Sequence, residues 1–184
     1  MGEGRCDLNL NEVFSVNRRL KNLARFNNIS RINTETVAEH SYFVAFYTML
    51  LADKVYGINT ELALKLALVH DIEETISGDL PHNVKEKYPE FLLNLEEMND
   101  SIVKDIFSSN GEYLDLWREV RGLETKEARL VHLCDIISVI LYTKNEIEMG
   151  NTHMIHICEK TRELLNTFVL KYPEFSFVNK DLML

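Results

Sequence analysis

The sequence is poor in the residues that punctuate and cross-link protein chains. Its 184 residues include three prolines, seven glycines, three cysteines and one tryptophan. No Pro-, Gly- or Ser-rich run divides the chain, so one continuous domain over residues 1–184 is expected. Cys6, Cys134 and Cys158 are scattered and form no C-x-x-C, which excludes a disulfide framework and points to reduced thiols in a cytoplasm. Positive charge is scarce as well. Twenty Lys and Arg stand against 29 Asp and Glu, a net charge of -9 that argues against a nucleic-acid polymer as partner. No apolar run approaches the ~18 residues of a membrane span. The start, Met-Gly-Glu-Gly-Arg-Cys, lacks the basic-then-apolar pattern of a secretory signal.

What the sequence does have is helical periodicity nearly throughout. Val13, Val16, Leu20 and Leu23 lie on one face of a first helix. Thr36-Val-Ala-Glu39 has the form of a capping box, so a helix is predicted from Thr36 to Gly57. A second is predicted from Asn59 or Thr60 through Thr75, stopped by Gly78 and Pro81. Further helices are expected over about 90–107, a short segment 114–120, a long one over 125–148 and a last one over 152–171. No strand is expected. The fold class is therefore an all-α bundle of about six or seven helices. Leu62–Val69 and Leu130–Leu141 are apolar around nearly their whole circumference, which predicts burial in the middle of the bundle. Tyr42, Phe43, Phe46 and Tyr47 recur at helical spacing and are read as core.

On such helices the polar residues carry the information. The first apolar helix ends in His70-Asp71, and the second carries Asp135 between Cys134 and Ile136. A carboxylate there needs a compensating cation. The residues one turn away are Val131, His132, Ser138 and Val139, so no Lys or Arg supplies it locally. A divalent ion shared by His70, Asp71, Asp135 and His40 would. Two imidazoles and two carboxylates suit Mn, Fe, Co, Ni, Zn or Mg and do not choose among them.

His40, then His70-Asp71, then Asp135 resembles the H…HD…D signature of the HD-domain metal-dependent phosphohydrolases. The surrounding segments Thr34-Glu-Thr-Val-Ala-Glu-His40-Ser41 and His70-Asp-Ile-Glu-Glu-Thr-Ile-Ser-Gly-Asp-Leu-Pro81, with Val84-Lys85 and Met149-Gly150-Asn151, are similar to the bacterial 5′-deoxynucleotidase branch. The resemblance covers about residues 17–165. It implies an HD-domain helical bundle with one divalent ion that hydrolyses the 5′-phosphate of a deoxynucleoside monophosphate, as a homodimer. It further implies metal ligands at His40, His70, Asp71 and Asp135 and a catalytic carboxylate at Glu74. Asp79 would be a second acid lining the nucleotide site, Arg25 the phosphate-holding arginine, and Lys85 part of the same substrate site. Phe26 stands where these nucleotidases usually have Trp, a residue associated with packing on the sugar and rejecting ribose.

The chemistry needs such groups. Phosphate monoesters hydrolyse so slowly unaided that accelerations up to ~10²¹-fold are required. A divalent ion acidifies water and neutralises charge on phosphoryl oxygens, while a carboxylate handles the proton. Two rival readings differ in outcome: an HD-type triphosphohydrolase releasing triphosphate from dATP, and a catalytically silent metal- or nucleotide-binding module. Elsewhere, His153-x-x-His156 with Cys158 lacks a fourth metal partner, His132 reads as a satisfied histidine, and Glu73 joins Glu74 and Asp79 in what could be a solvated acidic stretch.

Overall fold

A computed structural model describes residues 8–80, 89–108 and 110–178. Among these residues the chain is a helical bundle with no strand. Helix α1 (Leu10–Asn17) continues into a 3-10 turn, Arg18–Asn22. Then follow α2 (Val37–Ala52), α3 (Thr60–Val69), α4 (Glu74–Ser77), α5 (Pro89–Ile106), α6 (Gly111–Gly122), α7 (Lys126–Glu148) and α8 (Ile155–Lys171). None of the described helices is long and apolar enough to cross a membrane.

Helix starts are written in side-chain chemistry. Thr36 and Glu39 form the expected capping box: Thr36 Oγ1 accepts from the Glu39 amide at 3.2 Å, and Glu39 Oε2 accepts from the Thr36 amide at 2.8 Å. Asn59 caps α3 and Thr125 caps α7 more simply, each side chain accepting from one backbone amide, of Leu62 and of Ala128. Helix α7 is the central post and packs against α2, α3, α6 and α8. Ala128, Leu130, Leu133, Cys134 and Ile140 on it are fully buried, each large apolar side chain contributing about 1.5–3 kcal/mol. Cys134 and Cys158 are buried free thiols.

Several boundaries differ from the sequence expectation. Helix α2 ends at Ala52 rather than Gly57, and a turn leads to Gly57, whose φ of +79° suits glycine. Helix α3 stops at Val69 instead of running through Thr75, so His70–Glu73 form turns and α4 starts afresh. At this break Glu73 turns fully inward, toward polar partners described below. The segment around 114–120 is a longer helix than expected, Gly111–Gly122.

Burial also corrects two readings. Helix α3 is not apolar-buried all round, since Leu68 is mostly exposed and Lys65 points outward to Glu61. Tyr42, Phe43 and Phe46 lie on the outer face of α2 and not in the core, because the inner face is already filled by Val37, His40, Val44 and Thr48.

Between the 3-10 turn and α2, the chain makes a loop closed at its neck. An antiparallel bridge pairs Ala24 with Thr36. The Arg25 amide donates to Glu35 O at 2.9 Å, and the Val37 amide donates to Leu23 O at 2.9 Å. The neck places Arg25, Phe26 and Glu35 beside the first turn of α2.

Candidate active site

Four elements bring ligand atoms together. His40, in the first turn of α2, is completely buried. His70 caps the C-terminus of α3. Its Nδ1 donates to Ala67 O at 2.7 Å, because a carbonyl only accepts, and this turns Nε2 inward toward the cluster. The two Nε2 atoms lie 3.5 Å apart. Asp71 Oδ2 is 3.0 Å from His70 Nε2 and 3.7 Å from His40 Nε2. Asp135 Oδ1, from α7, is 3.2 Å from His40 Nε2. Nitrogen and oxygen ligands bound at 2.0–2.2 Å to one ion sit roughly 2.9–3.5 Å from each other, so this spacing suits a divalent metal. The ligand atoms of His40, His70 and Asp71 all lie within 4.8 Å of one another. Asp135 adjoins that group from the His40 side.

The protonation states of His40 and the two carboxylates suit metal ligation, whereas a cation at His70 would have to displace a proton that Asp71 favours. Burial, with the Arg25 charge behind it, pushes His40 down to about 4, so it is a neutral imidazole at physiological pH. Burial raises the carboxyls of Asp71 and Asp135, but His70 overrides it for Asp71 and His40 overrides it for Asp135, and both end well below the usual carboxylate range. Burial alone would lower His70; the Asp71 charge and hydrogen bond outweigh it and raise the ring instead. Two ionised carboxylates thus face the imidazoles, the donor set a cation requires.

Asp135 corrects one expectation. Its side chain is 34% exposed, so it is not sealed among apolar neighbours: α7 is buried, but Asp135 faces the open side of the cluster. Glu74 corrects another. It does not share a helix with His70, because α3 has ended; it opens α4, with its amide donating to Asp71 O at 3.2 Å. The turn still keeps Glu74 next to the cluster.

Arg25 and the loop neck form the second half of the site. Arg25 Nη1 is 3.0 Å from Glu35 Oε2 and 2.5 Å from His40 Nδ1. Ser138 Oγ lies 3.1 Å from the same ring nitrogen. Asp79 Oδ2 accepts from the Phe26 amide at 3.2 Å, and Asp79 O accepts from Asn27 Nδ2 at 3.3 Å. Arg25, Phe26 and Asp79 are therefore neighbours, and Arg25 touches a cluster histidine. Lys85, His82 and Asn83 lie outside the described residues.

Sequence reasoning missed Glu73 and Ser138. Glu73 is 1% exposed and not solvated: Trp117 Nε1 donates to its Oε2 at 2.7 Å, and Arg121 pairs with its Oε1. Helical spacing gave no signal for Glu73, because α3 ends at Val69 and Glu73 lies in the turn beyond it. His132 packs on Phe168, and His153 and His156 are exposed and join no metal group among the described residues.

Residues 17–168 match the family model described as HD domain. The chain belongs to the HD domain family. It is similar to a 5′-deoxynucleotidase of Vibrio vulnificus, 30% identical over 155 residues that cover 79% of this chain and 79% of that protein. Among solved structures, a conserved hypothetical protein of Pyrococcus furiosus superposes with a TM-score of 0.70 at 31% identity, over 85% of this HD-domain chain and 97% of its own. The cyanophage S-2L HD phosphohydrolase, bound to dA and one catalytic Zn2+, shares the fold with a TM-score of 0.67 at 21% identity, over 85% of this chain and 83% of that one.

Proposed function

We propose that this HD-domain protein is a metal-dependent phosphohydrolase that removes the 5′-phosphate from nucleoside monophosphates, with deoxynucleotides as the preferred class. The observation that carries this reading is the contact between Arg25 and His40: a phosphate-binding cation adjoins the metal-ligand cluster at 2.5 Å. The similarity to a protein named 5′-deoxynucleotidase supports the substrate class.

In this reading His40, His70, Asp71 and Asp135 hold one divalent ion. When bound, the ion supplies Lewis acidity, lowering the pKa of water and neutralising charge on the phosphoryl oxygens. The remaining work belongs to the chain. A His40 ring protonated on Nδ1 would donate to Ser138 Oγ and would leave Nε2 as the nitrogen able to hold the ion. Arg25, held by Glu35 beside the cluster, would grip the phosphate oxygens with its guanidinium. Glu74 moves the proton between the attacking water and the leaving 5′-oxygen. Phe26 packs on the sugar, Asp79 orients its hydroxyl, and Lys85 belongs to the rim.

Phosphate release from dAMP, AMP and dATP with Mn, Co, Mg or Zn tests the reading. Inorganic phosphate from the monophosphates is expected. Triphosphate from dATP with no phosphate from any monophosphate contradicts it, as does no release under any condition.

The same reading places the enzyme in the cytoplasm as a homodimer. Residues 41–52 of α2 contain no charged side chain, and Tyr42, Phe46, Met49 and Leu50 are 41–63% exposed. For a chain of net charge -9, an uncharged apolar face is where two copies meet without like-charge repulsion. Sedimentation of the parent as a dimer and of Phe46→Glu as a folded monomer is expected; a monomeric parent contradicts this assignment.

A further inference from the structure

Helix α7 carries other polar residues besides the metal-ligand candidate Asp135. Asp135, Ser138, Tyr142 and Glu146 follow at intervals of three, four and four residues, a single stripe along the helix. The upper part of the stripe belongs to the metal cluster. The lower part grips the loop 26–34, and no role has yet been given to it.

The grip is dense for so short a segment. Glu146 is 0% exposed. Its Oε2 accepts from the Ile32 amide at 2.8 Å, and its Oε1 accepts from the Asn33 amide at 2.7 Å. Asn151 Nδ2 donates to Glu146 Oε2 at 2.6 Å and to Ser30 O at 2.8 Å, so it ties the carboxylate and the loop together. Tyr142 Oη donates to Asn33 O at 2.7 Å. The Tyr142 ring stacks on Phe26, with centroids 5.1 Å apart and planes 5° from parallel.

Phe26 needs such support. Its φ is +52°, a left-handed conformation that a bulky residue adopts only when its surroundings impose it. The loop side supplies the Asp79 bond to its amide, and α7 supplies the stack. A loop with unpaired ends at Ile32 and Asn33 would let both Phe26 and the adjacent Arg25 drift away from His40.

We propose that Tyr142 and Glu146 are positioning residues that hold the loop 26–34 against α7, so that Phe26 and Arg25 stand ready for the sugar and the phosphate of the substrate. This rests on the nucleotidase reading for what Phe26 and Arg25 contact; the anchoring itself does not. Neither residue touches the metal ligands, so their loss is felt in substrate binding rather than in metal content.

Two readouts test the proposal on Tyr142→Leu, Tyr142→Phe and Glu146→Gln. The first is amide hydrogen exchange in the absence of substrate. Glu146→Gln puts an amide group where two backbone amides now find a carboxylate, so exchange at Ile32 and Asn33 should rise about 10-fold or more while exchange in α7 stays the same. The second is steady-state kinetics. Tyr142→Leu and Glu146→Gln should raise KM for nucleoside 5′-monophosphates about 10-fold, keep kcat within about 3-fold and keep the parent's metal content. Tyr142→Phe retains the stack and should restore most of the loss. Faster loop exchange with an unchanged KM overturns the positioning role, and unchanged exchange in Glu146→Gln overturns the anchoring. A parent inactive on every monophosphate sinks the nucleotidase reading alone, because exchange still decides the anchor.

Discussion

Ser138 stands one helical turn after Asp135, and its hydroxyl oxygen lies 3.1 Å from Nδ1 of His40. The acid and the hydroxyl thus reach opposite nitrogens of one imidazole ring, Asp135 at Nε2 and Ser138 at Nδ1. A hydroxyl in this position holds the ring orientation and can accept from Nδ1, the protonation that leaves Nε2 for a cation. Ser138→Ala should weaken divalent-metal affinity by about 10- to 100-fold while the protein stays folded. Chelator competition checks this, and parent-like affinity in the variant would remove Ser138 from the site.

Glu73 and Trp117 hold the turn that separates α3 from α4. Removing the indole donor leaves a buried carboxylate oxygen short of a partner, at a cost of about 1–3 kcal/mol. Trp117→Phe should therefore lose stability by about that amount in chemical denaturation. Adding Glu73→Gln should give a double variant less destabilised than the sum of the singles, because the two groups share one bond. Strict additivity would show that the pair is not coupled.

Acid should unfasten the loop from α7. Burial raises the Glu146 carboxyl, but the amides of Ile32 and Asn33 and the Asn151 side chain outweigh it, and it ends below its ordinary value of 4.5. A carboxyl with a depressed folded pKa contributes stability that is fully present above its unfolded pKa. That stability is lost as pH falls through the folded value. Glu146→Gln removes this pH-linked contribution. The stability gap between parent and variant should be constant above about pH 5 and narrow below about pH 4.5. Denaturation curves across that range check it, and a gap that widens on acidification contradicts the sign.

Much of the bundle could be read from caps and periodicity. Thr36 with Glu39, and Thr125 before the long apolar run, mark helix starts by local chemistry, and the structure keeps both. The candidate metal ligands stood out as polar residues in or just after largely apolar helices, and the structure gathers His40, His70 and Asp71, with Asp135 beside His40. The break after Val69 was not legible, because there Glu73 meets Trp117, 44 residues further on, a tertiary contact with no local signal. The same holds for the Glu146 clamp on Ile32 and Asn33. The aromatic face of α2 misled for a different reason: periodicity shows that residues share a face, and only packing shows which face turns inward.

The central claim is that the His40, His70, Asp71 and Asp135 group holds the ion on which phosphate release depends, with Glu74 as proton carrier. Metal content and phosphate release, measured together on the parent, Asp135→Ala and Glu74→Gln, test it most directly. The parent should carry about one ion per chain. Asp135→Ala should lose ion and activity together. Glu74→Gln should keep the ion and lose turnover by about 10²-fold or more. Parent-like hydrolysis by either variant, or full activity in a parent stripped of metal, would contradict the account.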